Sequence, residues 1–112
     1  MCTYVTEHAA VQGSGKGTDG WFPLTAVTTS YDHPVHAQAE HCVIIDFANL
    51  ERGPAARVAV ELTTASALDL VASIARALVS VPSDLSGVET SDVRRLLDAA
   101  EQVTGAAKVT SW

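Results

Sequence analysis

Three of the chain's four histidines, His33, His36 and His41, fall within nine residues, in the segment Asp32-His33-Pro34-Val35-His36-Ala37-Gln38-Ala39-Glu40-His41. Imidazole and carboxylate are the side chains that both ligate transition metals and move protons near neutral pH. The segment therefore reads as a metal site, with the three histidines as ligands of a divalent transition metal of the zinc or iron class and Glu40 as the base beside it. Pro34 interrupts any strand ladder here, which makes the segment a loop or sheet edge. His41 opens the next apolar run, so the three ligands converge only if the loop folds back. The plain alternative is a set of loop histidines bonded to backbone carbonyls.

A second acid/base candidate is Asp46, set inside Val43-Ile44-Ile45-Asp46-Phe47. Burial there would raise its pKa unless a cation pairs with it, and Arg57 on the following strand is that cation. Asp46 is thus either a catalytic carboxylate or half of a structural ion pair. His8 alternates with Thr6, Tyr4 and Cys2, so these four share one strand face, which either lines a ligand pocket with Tyr4 and His8 or is merely polar. Cys42 lies mid-strand beside Val43, where cysteine is usually an inert small hydrophobe.

Gly13-Ser14-Gly15-Lys16-Gly17 invites a phosphate-loop reading but departs from the Walker pattern twice, with Ala10 in place of the first glycine and Gly17 in place of the magnesium-binding Ser or Thr. It reads as a hairpin loop whose Lys16 closes over an anionic ligand. Trp21 and Phe22 follow as core or interface anchors, with Trp21 the aromatic candidate for ligand contact. No dinucleotide fingerprint is present, which leaves no nucleotide cofactor.

The elements that must position these groups change character once along the chain. Residues 3–11, 24–31, 41–48 and 57–62 read as strands, the last with strict alternation in Arg57-Val58-Ala59-Val60-Glu61-Leu62. Asn49 to Pro54 is a turn. From Thr63-Thr64 the period becomes helical: Ala67, Val71, Ile74 and Leu78 mark a helix over about 65–80, with Ser66 and Asp69 as its capping box. After Pro82 and Gly87 a second helix covers about 90–104, with Val93, Leu96, Leu97, Ala100 and Val103 on one face and Gly105 as its stop. Strands first and helices afterwards imply the α+β class: a four-stranded antiparallel sheet over residues 1–64, then two helices packed on one face, in a single domain of residues 1–112.

At 112 residues, 47% of them apolar and 5% aromatic, the core must be built from Val, Leu, Ile and Ala. The net charge of -6, with basic residues scattered singly apart from Arg94-Arg95, lacks the basic stripe that nucleic acid requires. No apolar run approaches a membrane span and no signal peptide is apparent. The expectation is a cytoplasmic protein with reduced cysteines.

The blocks Met1 to Tyr4, Val11 to Gly17, Gly20-Trp21-Phe22, Asp32 to His36, Glu40-His41, Ile45-Asp46-Phe47 and Arg57 to Leu62 resemble a small, mostly actinobacterial family of uncharacterised proteins that open with Met-Cys-Thr-Tyr. The resemblance covers about residues 1–80 and implies no role for any residue. From the residues themselves the expectation is a protein that acts on a small metabolite, a metal-assisted hydrolase, lyase or isomerase. The competing expectation is a non-catalytic binding or accessory protein with structural histidines. An uncovered sheet face in a chain this short also implies a homodimer.

Overall fold

The computed structural model describes residues 5–33 and 41–107, with side chains as far as residue 103. The chain divides into two compact units, residues 1–62 and 63–112, with strands in the first and helices in the second, the α+β order implied by the sequence. The boundary falls where the hydrophobic period changes, at Thr63.

Strands β1 (Val5–Gly17), β2 (Gly20–Asp32), β3 (Cys42–Ala48) and β4 (Arg57–Leu62) form one antiparallel sheet in the order β1-β2-β3-β4. Directly paired residues share a face, so the register sorts the side chains. Thr6 and His8, Thr28 and Ser30, Asp46, and Arg57 and Glu61 lie on one largely polar face. Val27, Val43, Ile45, Phe47, Val58, Val60 and Leu62 lie on the other.

The glycine-rich run is strand, which corrects the expected loop. β1 continues through Gly17 and turns at Thr18-Asp19, with Gly20 at φ +108°. A Cβ on Gly15 would stand 3.1 Å from Leu24 Cδ2, and one on Gly17 would stand 3.1 Å from Phe22 Cε1. These glycines make room for large side chains leaning over from β2, and Lys16 stands in the ladder opposite Trp21. Between Ala10 and Gly13 the register shifts by one residue, a bulge that adds twist to the hairpin. The outer strands β1 and β4 approach each other, as expected of a strongly coiled sheet.

The second unit holds α1 (Thr64–Val79), a single turn α2 (Ser83–Ser86) and α3 (Thr90–Ala107). Thr63, not Ser66, caps α1: its backbone is extended and its hydroxyl accepts the Ser66 N–H at 3.1 Å. Gly105 does not stop α3, which runs two residues further. α1 and α3 run antiparallel and are joined by Arg76 and Glu101 at 3.3 Å, while the hydroxyls of Ser83 in α2 and Thr90 in α3 meet at 2.9 Å. Their shared core is Ala72 and Ala75 against Val93, Leu97 and Ala100. The stripe that carries the period of α1 points elsewhere, with Val71, Ile74 and Leu78 exposed. Alanines win this contact because they let the helix axes come close enough for Leu97 to seat between them.

Candidate functional site

Three groups of side chains in the sheet unit carry possible chemistry. The first lies at the end of the β2–β3 hairpin where the two strands are connected. Asp32 pairs with Cys42, and one step further out the rings of His33 and His41 stand 4.5 Å apart, with Tyr31 stacked on His41 at 5.8 Å. The buried Asp32 carboxylate accepts the His33 backbone N–H at 2.7 Å, which fixes where the strand leaves the ladder. Two of the three expected ligands are thus brought together. His36 and Glu40 lie outside the described residues, as do Tyr4 and Cys2. Among the described residues no three metal-ligating groups meet.

The second group crosses the polar face. His8 Nδ1 is 3.2 Å from Thr28 Oγ1, Thr28 pairs with Asp46, and Arg57 grips both oxygens of Asp46 through Nε and a terminal nitrogen. His8 and Asp46 sit two strand spacings apart, roughly 10 Å, beyond any hydrogen bond. They do not form a proton relay. With its carboxylate held by Arg57, Asp46 matches the structural ion pair; because Arg57 is largely exposed, such a pair contributes at most about 1 kcal/mol.

Cys42, fully buried at the end of this face, has its thiol pKa raised, first by burial and then by the negative charges of Glu61 and Asp32, against a smaller lowering from the Leu62 backbone. It is a packed thiol, not a nucleophile. The raised value means that its contribution to stability is complete below the ordinary thiol pKa and is lost as pH climbs past about 8.5. Iodoacetamide is expected to modify Cys42 in step with unfolding rather than in the folded chain, and stability should decline above that pH. Rapid modification of Cys42 itself, located by peptide mass, in the folded protein at pH 7 would contradict the burial.

The third group lies at the opposite end of β2. A cavity of about 230 Å³ opens between the Gly17 to Gly20 turn and the β3–β4 connection, walled by Trp21, Phe22, Arg52 and Ala56. Asn49 positions the connection: it is buried, its Nδ2 donates to the Pro23 carbonyl at 3.0 Å, and its Oδ1 accepts the Glu51 N–H at 3.2 Å. Pro23 is tolerated there because β3 has already ended at Ala48 and no ladder bond needs its nitrogen. The twelve residue steps from Trp21 to His33 span roughly 40 Å of extended strand. Lys16 and Trp21 therefore do not share a site with His33 and His41. Sequence reasoning passed over Arg52 and Asn49 as parts of a turn, and the usable signal was an arginine inside that turn.

Residues 1–87 match the model of a family of unknown function. The chain belongs to DUF6295. The DUF6295 match spans the whole sheet, α1 and α2, so the histidine pair, the polar row and the cavity all fall inside it, while α3 begins at Thr90 beyond it. No curated protein and no solved structure matches the chain. Among the described residues no helix is long and apolar enough to cross a membrane.

Proposed function

We propose that this DUF6295 protein is a cytoplasmic protein acting on a small metabolite, with a metal-assisted site at the connected end of the β2–β3 hairpin. The observation that carries it is the pair His33 and His41, which follow β2 and precede β3 and whose rings stand 4.5 Å apart. Two imidazoles anchored by a sheet supply half of a tetrahedral ligand set for a divalent ion of the zinc or iron class. His36, three residues from His33, is the proposed third ligand, and Glu40, next to His41, the proposed base. A site of that kind polarises a carbonyl or activates water, which fits hydrolase, lyase or isomerase chemistry.

Elemental analysis of purified protein tests this. A stoichiometric transition metal is expected, lost in the His33→Ala/His41→Ala variant with circular dichroism unchanged. Outer-shell partners of metal ligands are already worth 10- to 100-fold in affinity, so removing two ligands should cost more than about 100-fold. Equal metal content in both proteins would retire the site.

A second reading, a non-catalytic homodimeric binding protein, is favoured by the engagement of Asp46 with Arg57 and by the uncovered stripe on the helices. Val71, Ile74 and Leu78 of α1 and Leu96 and Val103 of α3 are all exposed. At 100° per residue both sets fall on the same side of the antiparallel pair, forming one apolar face suited to a second copy of the chain. Light scattering at micromolar concentration should give twice the chain mass, and a monomer mass would rule out this dimer.

A further inference from the structure

We infer that the cavity between the β1–β2 turn and the β3–β4 connection is a binding site for a small planar organic anion, a single aromatic ring carrying a carboxylate. The inference does not rest on the metal reading, since the cavity lies at the other end of β2. Charge is the first support. In a chain of net charge -6, Arg57, Arg76, Arg94 and Arg95 each form an ion pair with a carboxylate. Among the described lysines and arginines, Lys16 and Arg52 have no such partner, and both stand at this one end of the sheet. Arg52 lines the cavity, while Lys16 pairs across the ladder with Trp21 in its wall. Asp19 and Arg52 are the charged residues of the lining and balance each other, so the surplus positive charge at this end comes from Lys16 beside Trp21.

Shape is the second support. Trp21 is 70% exposed, an apolar surface that a soluble domain covers where it can, and it gives the cavity an aromatic wall, while Phe22, alternating to the other face of β2, only borders it. A ring lying on that wall with its carboxylate toward Arg52 would satisfy both, since a guanidinium presents a planar fork that matches a carboxylate. Volume limits the ligand. An apolar cavity of roughly 150 Å³ holds benzene, and drug-sized pockets start near 300 Å³, so about 230 Å³ takes one ring with one small substituent and not a nucleotide. Asp19 disfavours a second negative group on the ligand and would accept a hydrogen bond from a ring hydroxyl.

Benzoate titrated into the whole protein, followed by amide chemical shifts, tests the site. Saturable shifts confined to residues 17–22 and 52–56 are expected, with no such shifts from benzamidine or acetate. In a Trp112→Phe background the fluorescence of Trp21 should change along the same curve. Arg52→Gln should weaken benzoate about tenfold or more, and Lys16→Gln by a smaller factor. Both positions are exposed surface, and the spectrum of each variant reports whether the fold is kept. Should Arg52→Gln disturb the spectrum, the benzamidine comparison on the unaltered protein decides alone. Equal shifts from benzoate and benzamidine, absence of shifts at millimolar benzoate, or shifts centred elsewhere would each overturn the assignment.

Discussion

Leu97→Ala is expected to lower the stability of the helical unit by about 3 kcal/mol, whereas Leu96→Ala, one position away, should cost less than about 1 kcal/mol. The two leucines are chemically identical and adjacent, yet Leu97 is 2% exposed and Leu96 53% exposed. Leu97 packs against Ala72 and Ala75, which have no longer side chain that could relax into the space it would leave, so the cavity persists in the variant. Urea unfolding of both variants followed by helical circular dichroism measures the contrast. Equal costs would mean that the face carrying Leu96 is also covered in solution, by a second copy of the chain or otherwise.

Asn49→Ala should cost about 2 kcal/mol, a large effect for a single residue in a turn. The substitution removes the donor to the Pro23 carbonyl and the acceptor of the Glu51 N–H together, and it does so at a buried position where water is a poor replacement. Asn49→Asp separates the two: it keeps the acceptor, loses the donor and sets a carboxylate against a carbonyl oxygen, so it should be no better than alanine. Thermal melts with amide spectra of residues 50–56 provide the check. A cost below about 0.5 kcal/mol would show that the connection is held by something other than this asparagine.

The sheet was legible where side chains alternate and obscure where they are absent. Arg57 to Leu62 announces its two faces within six residues, but Gly13 to Gly17 carries no alternation at all. Its strand character depends on Leu24 and Phe22, which lie across the ladder. In α1 the large residues Val71, Ile74 and Leu78 set the visible period, while the contact with α3 is made by alanines, whose smallness is the point and whose hydrophobicity is slight. His33 and His41 could be suspected from composition, but their pairing follows from the register Asp32 with Cys42, which no local pattern states. Arg52 stayed invisible because its distinction is a missing partner, and that appears only once the other arginines have found theirs.

The extra residue between Ala10 and Gly13 has a consequence for chain length. Val11 and Gln12 together face Thr25, so the hairpin contains one residue more than its pairing consumes. Deleting one of those two would let the ladder close with all eleven pairs of β1 and β2 intact. Deleting Gly15, Lys16 or Gly17 would instead bring Ser14 into the place now held by Gly15, against Leu24. Length variation within DUF6295 should therefore be silent at Val11-Gln12 and damaging a few residues later, a difference in tolerance between neighbouring positions set by the phase of the strand.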